Sequence, residues 1–325
     1  MKTRQDQITV DEVHRVDVNV SVGFWCNLRC RHCAVEFHKS QPDLTTDEVC
    51  AEIDRHRMLS AGRLVLTGGE PTLRKDLPTI IAHAWTVGFR SIHLQTNATA
   101  LSHRPLVARL TRAGLTSALV SLLGPTADIH DAITRRRGSF EKTIRGLANL
   151  IGAGIKVATN TVISRANLNH LATLARFITQ RFPEVHTLCF SYPQASGGVL
   201  KDFTGLTPRL SETMPHLLAA LELATECGYW TWVSDFPLCY MPGYEEHSAH
   251  VFPRLTVASD PDPEAGDDAI LDFEGQLRQA KVKAPVCRKC SLTEICIGVD
   301  RVYADHYGLE ELSPFKAEST PAVPK

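Results

Sequence analysis

The chain has 325 residues, of which 43% are hydrophobic and 22% are charged, and its formal net charge is -1. This composition is typical of a globular protein, and the absence of a basic excess argues against a nucleic-acid partner. The polar N-terminus MKTRQDQITVDEVHR lacks the apolar segment of a signal peptide, and no stretch approaches the roughly 18 apolar residues of a membrane span. We therefore expect a cytoplasmic protein with reduced cysteines and no membrane partner.

Short apolar segments alternate with longer helical patterns over the first two thirds of the chain. The predicted strands are 16–22, 63–67, 91–96, 117–123, 156–163 and 187–192. The predicted helices are about 45–62, 77–88, 105–114, 140–154, 168–182 and 208–228. Six strand–helix steps predict parallel strands joined by crossovers, and therefore an α/β fold. The periodicity alone leaves open whether the sheet is doubly wound or a partial barrel.

The strand–helix pattern ends after Cys227, although residues 229–233 suggest one more strand. The acidic, Pro-rich segment SDPDPEAGDD at 259–268 is typical of a mobile loop. A cysteine-containing motif, CRKCSLTEIC, follows at 287–296, and the final STPAVPK is typical of a disordered tail. We predict four parts, which are an N-terminal extension at 1–16, an α/β domain at 17–228, a cysteine-containing region at 229–312 and a tail at 313–325.

Cys26, Cys30 and Cys33 lie directly after the first predicted strand, with the spacing C-x3-C-x2-C. Structural zinc sites use four ligands, commonly in two C-x2-C pairs. Three thiolates without a fourth cysteine nearby suit a [4Fe-4S] cluster that leaves one iron open. The alternatives are three ordinary buried cysteines, or a zinc site that His32 or His38 completes.

Gly68, Gly69 and Glu70 follow the second predicted strand. Glycine permits the backbone to approach a ligand closely, and a carboxylate accepts charge-assisted hydrogen bonds; a plain turn is the alternative. Together with the cysteine motif, these residues resemble the radical S-adenosylmethionine (radical SAM) superfamily over about 17–193. The resemblance implies a partial (βα)6 TIM-like barrel with a small C-terminal extension. It also implies that S-adenosylmethionine binds the open iron and that Glu70 accepts hydrogen bonds from the methionyl ammonium group.

The resemblance implies a reaction as well. An electron from the reduced cluster cleaves S-adenosylmethionine to methionine and a 5'-deoxyadenosyl radical, which abstracts a substrate hydrogen atom. A flavodoxin- or ferredoxin-type protein supplies the electron. We expect oxidation or bond formation on a small-molecule natural product or a peptide, as in an oxidoreductase. Epimerisation is the alternative within the superfamily, and a non-catalytic zinc-binding scaffold is the alternative from another class.

Three further residues are candidate cofactor contacts through the resemblance alone. The superfamily often has Thr-Asn-Gly at the end of the third strand, where this chain has Asn97 followed by Ala98. Ser121 on the fourth predicted strand and Asn160 on the fifth are candidate contacts to the methionyl or ribose part of S-adenosylmethionine. An ordinary inward-facing barrel position is the alternative for both.

A second group of cysteines has the spacing C-x2-C-x5-C at Cys287, Cys290 and Cys296, with Cys239 upstream as a fourth candidate. Four thiolates complete a [4Fe-4S] or a zinc site. The region resembles the auxiliary-cluster extension of radical SAM enzymes called a twitch domain, a shortened SPASM domain, which implies a second [4Fe-4S] cluster. Alternatively, three cysteines bind the cluster and Cys239 is a catalytic hydrogen donor. Cys189 on the sixth predicted strand is a more remote candidate donor.

Charged residues follow the fourth predicted strand, at His130, Asp131 and the run from Arg135 to Arg137. Ligands of parallel barrels bind at this end of the strands, and arginine can bind a carboxylate or a phosphate there. A solvated charged surface is the alternative.

Overall fold

The computed structural model of the protein describes residues 16–38, 40, 42–59, 62–251, 256–259, 270–272 and 278–315. Its main element is a nine-stranded sheet with the order β7-β6-β5-β4-β3-β2-β1-β8-β9. The strands are β1 (Asp17–Ser21), β2 (Arg63–Thr67), β3 (Ser91–Thr96), β4 (Ser117–Ser121), β5 (Lys156–Val162), β6 (Thr187–Ser191), β7 (Trp230–Ser234), β8 (Thr256–Ser259) and β9 (Ile270–Asp272). A separate antiparallel pair consists of β10 (Lys281–Val282) and β11 (Val299–Asp300).

Nine helices connect the successive parallel strands of the described chain, and a tenth follows β11. The connecting helices are α1 (Thr46–Arg55), α2 (Leu77–Thr86), α3 (Arg104–Ala113), α4 (Ala127–Thr134), α5 (Ser139–Gly152), α6 (Leu171–Arg181), α7 (Gly197–Lys201), α8 (Phe203–Leu206) and α9 (Leu210–Glu226). The tenth is α10 (Arg301–Tyr307). The first of them begins with a capping box, in which Thr45 and Glu48 satisfy each other's backbone N–H groups. None of the helices in the described ranges is long and apolar enough to cross a membrane.

The two faces of the sheet differ in burial. Alternate strand residues are fully buried in the core, among them Val20, Leu66, Leu94 and Val120. Most of the residues between them are only partly buried, with exceptions such as the buried Val65 and His93, and many are polar. The polar ones include Ser21, Thr67, Gln95, Ser121, Asn160, Ser191 and Ser234. Because successive strand side chains point to opposite faces, the connecting helices cover one face and leave the other partly open. We call the face that the helices leave partly open the open face.

The predicted α/β architecture of an open, partial barrel is confirmed. β1 to β7 are parallel neighbours in chain order, and the described sheet does not close, because β7 and β9 form its edges. The segment predicted at 229–233 is β7, which joins this sheet rather than a separate one. The sequence pattern did not predict α4, α7, α8, β8 or β9. The predicted mobile loop at 259–268 lies outside the described residues except for Ser259. The N-terminal extension also lies outside them, except for Val16, and so does most of the tail.

The C-terminal part of the described chain packs against the segment that follows β6. Tyr303 is 1% exposed, and its hydroxyl accepts a hydrogen bond from the Leu210 N–H (3.0 Å) and donates to the Glu311 carboxylate. The Tyr307 hydroxyl donates to the Thr207 carbonyl (2.8 Å). These buried hydrogen bonds fix α10 to the loops at the carboxyl end of the sheet. The predicted domain boundary at 228/229 stays a prediction.

Candidate active site

The loop between β1 and α1 carries Cys26, Cys30 and Cys33, all of them partly exposed. Residues 22–38 of this connection are called the cysteine loop below. Its Arg29 and Arg31 N–H groups donate to the last two carbonyls of α4 (3.0 and 3.2 Å). Carbonyl groups at a helix end lack partners within the helix, and here the cysteine loop supplies them. Thus α4 fixes the middle of the loop.

Gly197 and Gly198, at the start of α7, hold the other side of the cysteine loop. The Gly198 N–H donates to the Cys33 carbonyl (2.8 Å). A Cβ atom on Gly198 would lie 2.2 Å from the Arg31 carbonyl oxygen, and one on Gly197 would lie 2.2 Å from that of Cys33. Only glycine therefore permits this contact. Neither residue was predicted from the sequence, although a double glycine after a strand is a known signal of close backbone approach.

Cys26 is hydrogen-bonded to the end of β3. Its Sγ accepts from the Leu28 N–H (3.4 Å) and from Asn97 Nδ2 (3.8 Å). Asn97 Nδ2 also donates to Asn27 Oδ1 (3.0 Å), while Asn27 Nδ2 donates to Thr99 Oγ1 (2.7 Å). Hydrogen bonds donated to sulfur favour the thiolate form, which is the form that binds metal.

Glu70 is 3% exposed and lies beside this network. Its Oε1 accepts from the Thr72 N–H and hydroxyl and from the Thr96 hydroxyl (2.6 Å), and its Oε2 accepts from the Asn97 N–H (2.7 Å). Burial raises the pKa of Glu70, and these hydrogen bonds oppose that shift. Because Oε2 accepts one hydrogen bond within the described residues and a carboxylate oxygen has two lone pairs, it can accept a further donor.

Gly68 and Gly69 contact the cysteine loop. The Gly69 N–H donates to the Gly23 carbonyl (2.7 Å), and the Glu70 N–H donates to the Trp25 carbonyl (2.9 Å). A Cβ atom on Gly69 would lie 2.2 Å from the Trp25 carbonyl oxygen. The two glycines thus approach the backbone of the cysteine loop closely, and their approach to a ligand stays a prediction.

Ala98 occupies the position where the superfamily pattern has glycine. Its φ of 58° lies in the left-handed region, and its side chain is fully buried. An alanine in this conformation costs roughly 1–2 kcal/mol. The chain therefore keeps the backbone geometry that glycine would favour.

Ser121 and Asn160 are direct neighbours in the β4–β5 register, and Asn160 is in turn opposite Cys189 on β6. The Ser191 hydroxyl donates to Asn160 Oδ1 (2.9 Å). Cys189 is also opposite Trp232 on β7. The structure therefore brings the two predicted polar contacts together in one row on the open face, near the carboxyl ends of the strands.

Two imidazoles lie at the cysteine loop, the partly buried His32 within it and the buried His130 on α4. His130 is 1% exposed, and its Nδ1 accepts from the Leu123 N–H (3.2 Å), so that Nε2 carries the proton. Within the described chain, neither His130 Nε2 nor His32 Nδ1 has a hydrogen-bond partner. Burial lowers the pKa of each histidine to about 4, and for His32 the neighbouring His130 adds to the shift. Buried polar atoms without a protein partner are typical of sites where a bound group completes the structure.

No three His, Cys, Asp or Glu side chains of the described ranges converge as ligands of one metal ion. Three thiolates of an open [4Fe-4S] cluster bind three different irons and need not meet at one point. Together with the donors to Cys26 and the two unpartnered imidazoles, the thiols fit a cluster held by the cysteine loop.

The second cysteine group lies around Cys239, in the turn after β7. Burial raises the pKa of the Cys239 thiol to about 12, and the nearby thiols of Cys296, Cys287 and Cys290 contribute to the shift. The Ser313 N–H donates to its sulfur. Cys239 thus lies within electrostatic reach of three cysteines from a distant part of the chain. Their role as cluster ligands stays a prediction.

Comparison with known proteins found a matching family model and related sequences. Residues 20–178 match the family model described as "Radical SAM superfamily". An AdoMet-dependent heme synthase of Oleidesulfovibrio alaskensis is 35% identical over 146 residues, which are 44% of this chain and 37% of the relative. The mycofactocin maturase MftC of Mycobacterium tuberculosis is 35% identical over 156 residues, which are 46% of this chain and 39% of the relative. The chain therefore matches about two fifths of the length of each relative.

A solved structure is similar over nearly the whole chain. Streptococcus suis SuiB, bound to its precursor peptide SuiA, has a TM-score of 0.65 and 13% identity. The alignment covers 95% of this chain and 76% of SuiB. At this level of identity, the similarity shows a shared fold.

Proposed function

We propose that this chain, which contains a radical SAM domain at residues 20–178, cleaves S-adenosylmethionine reductively and abstracts a hydrogen atom from a substrate. The main support is the hydrogen-bonded connection from Glu70 through Asn97 to Cys26. It joins the strand ends that carry the predicted cofactor contacts to the loop that carries the predicted cluster ligands.

In this proposal, Cys26, Cys30 and Cys33 hold a [4Fe-4S] cluster with one open iron. Cluster and S-adenosylmethionine together supply the electron and the 5'-deoxyadenosyl radical. Asn97 stabilises the Cys26 thiolate through its side-chain N–H, and Glu70 Oε2 accepts from the methionyl ammonium group. The residues of β2 and β3 thus orient the cofactor at the edge of the open face.

Ser121 and Asn160 contact the methionyl or ribose part of the cofactor, in keeping with their shared row on the open face. Gly68 and Gly69 keep the cysteine loop close enough to Glu70 for both ends of the cofactor to be bound at once. The substrate lies over the same face, toward β6 and β7.

In a twitch-like region, a second [4Fe-4S] cluster would be held by Cys239, Cys287, Cys290 and Cys296. It would supply an acceptor for one electron of the substrate radical. This assignment predicts net oxidation or bond formation. The fold shared with SuiB, which was solved with a precursor peptide, supports a peptide or a related natural product as substrate. A flavodoxin- or ferredoxin-type protein supplies the first electron.

Anaerobic reconstitution tests the proposal. The wild type should bind about eight irons per chain and form 5'-deoxyadenosine when dithionite and S-adenosylmethionine are added. Cys26→Ala should abolish that product, whereas Cys50→Ala on α1 should not. A protein that carries its full iron content and yet forms no 5'-deoxyadenosine would contradict the proposal. Zinc in place of iron after anaerobic purification would favour the scaffold instead.

Epimerisation is the second candidate, and the position of Cys189 favours it. This thiol belongs to the open-face row of Asn160 and Trp232, where a substrate radical would form. The S–H hydrogen of a thiol exchanges with solvent before the thiol donates it to the substrate radical. An epimerised product formed in deuterated water therefore gains one deuterium. Loss of that deuterium in Cys189→Ala, but not in Cys239→Ala, would identify the donor. A product two hydrogens lighter and without deuterium would support oxidation.

A further inference from the structure

A cleft of about 370 Å³ lies beside the cysteine loop, and Cys30 is in its wall. Four cations line it, which are Arg29, Arg31, Arg135 and Lys201. Its lining contains no strand residue and none of the predicted cofactor contacts. The cleft is therefore separate from the open-face residues and offers another approach to the predicted cluster.

The charges of the cleft do not cancel. Arg31 pairs with Asp202 (2.8 Å), and Lys201 pairs with Glu36 (3.1 Å). The exposed guanidinium groups of the other two arginines have no hydrogen bond or ion pair in the described part of the chain. The rim beside Cys30 therefore keeps two unneutralised positive charges.

Arg135 is held at this rim by an unusual backbone conformation. It ends α4 with φ 54° and ψ 35°, in the left-handed region. For a residue other than glycine, this conformation costs roughly 1–3 kcal/mol and is found preferentially at functional positions. The same turn of α4 accepts the N–H groups of Arg29 and Arg31. The backbones of the two unpaired arginines, Arg29 and Arg135, are therefore fixed relative to Cys30.

We propose that this cleft is the docking surface for an acidic protein that donates one electron to the cluster held by the cysteine loop. The inference rests on the proposed function, because it presupposes that cluster. One electron leaves the donor, which is oxidised by one electron, and enters the cluster, which is reduced by one; no atom or proton is transferred. Electron transfer requires only proximity, which Cys30 provides, whereas hydrogen abstraction requires contact with the radical.

The chemistry of redox partners favours this occupant over a substrate. Electron-transfer complexes are weak and bury little area, so a small charged concavity suffices at their centre. Complementary charge accelerates such encounters, and salt screens the effect. A substrate must instead reach the open face, which lies outside the cleft.

The test compares two double variants of the reconstituted full-length protein. The cleft variant combines Arg29→Glu with Arg135→Glu. The control variant combines Arg112→Glu with Lys142→Glu, which makes the same change of net charge at exposed positions of α3 and α5. Reduced flavodoxin is the probe, and stopped-flow absorbance follows the reduction of the cluster at increasing sodium chloride concentrations. The cleft variant should be reduced at least tenfold more slowly than the control at low salt, and the difference should shrink at high salt.

Dithionite separates this inference from the proposed function. Both variants should form 5'-deoxyadenosine with dithionite at the wild-type rate, and Arg29→Lys with Arg135→Lys should keep the flavodoxin rate. Equal flavodoxin rates in cleft and control variants would overturn the docking surface. The docking surface would also be overturned by a cleft variant that loses substrate turnover while it keeps the flavodoxin rate. In that case, the cleft would bind an acidic substrate. A wild type that forms no 5'-deoxyadenosine with dithionite would instead contradict the proposed function.

Discussion

Asn97 donates from its side chain to Cys26 and Asn27, and from its backbone to Glu70. Its Oδ1 accepts from the N–H and hydroxyl of Thr99, which fixes the orientation of the amide. One residue thus determines how the predicted ammonium acceptor lies relative to the first predicted thiolate. At this scale, the motif residues act through their hydrogen bonds to one another as well as through the bound groups.

Replacement of Asn97 by Asp removes the N–H donor to Cys26 and adds a negative charge at the same place. Hydrogen bonds to the sulfur atoms of a cluster raise its reduction potential. We expect the midpoint potential of the first cluster to fall by on the order of 50 mV, which corresponds to about one net hydrogen bond for a one-electron couple. An EPR-monitored redox titration measures the shift. Gln180→Glu, the same chemical change on the exposed side of α6, should leave the potential unchanged.

Buried His130 predicts a dependence of stability on pH. Its pKa of about 4 in the folded protein lies below the value of about 6.5 in the unfolded chain, so the unfolded chain takes up the proton first. The contribution of His130 is complete above about pH 7.5 and is lost as the pH falls toward 4. Between about pH 7.5 and 5.0 we expect a loss of about 2 kcal/mol from this residue. Urea unfolding of His130→Phe should show a correspondingly weaker pH dependence, and parallel curves for the two proteins would contradict this reasoning.

Between elements, the contact of α7 with the cysteine loop leaves no space for a side chain. In Gly198→Ala, the new Cβ would meet the Arg31 carbonyl oxygen at 2.2 Å, so the loop must shift. We expect a destabilisation of about 1–3 kcal/mol and a lower iron content after reconstitution. Gly152→Ala is the matched control, because nothing lies within 4 Å of its Cβ position at the end of α5. Equal iron contents in the two variants would show that the loop tolerates the shift.

The elements that the sequence predicts well are those whose signal is local. The predicted strand at 91–96 coincides with β3, because the alternation of apolar and polar residues in SIHLQT is a local signal. The eight residues of α4 are too few for a helical repeat to stand out, and its last carbonyls are satisfied by the distant cysteine loop. β8 likewise depends on pairing with β1 from the opposite end of the chain.

The candidate site likewise has some features that the local sequence predicts and others that it does not. The cysteine spacing and the residues after β2 are local motifs, and they give the predicted ligands directly. The contact of Gly198 with Cys33 joins segments far apart in sequence, and residue spacing contains no information on it, so only the folded chain reveals it. Cys239 is also distant in sequence from the C-terminal cysteines, but the sequence alone predicts it as their candidate partner.

At the scale of the whole molecule, a buried ion pair connects the main sheet to the C-terminal region. Lys281 on β10 pairs with Asp235, directly after β7, at 2.8 Å, and the two side chains are 3% and 5% exposed. Gln194 Nε2, from the segment after β6, donates to the same carboxylate (2.9 Å). Because both charges are buried, movement of the C-terminal region away from the sheet would leave them unpaired. The ion pair therefore holds the second cysteine group at a fixed place relative to the open face.

Lys281→Met tests this connection, since it leaves the Asp235 carboxylate buried without its cation. Removal of one partner of a buried pair typically costs about 3–5 kcal/mol. We expect a loss of that size in urea unfolding. The addition of Asp235→Asn should recover much of it, because Asn carries no charge and tolerates the left-handed φ of 61° at this position. Lys156→Met, at an exposed position of β5, should change stability by no more than about 0.5 kcal/mol. If Lys281→Met were as stable as Lys156→Met, the C-terminal region would have to be held to the sheet by its apolar and tyrosine contacts alone.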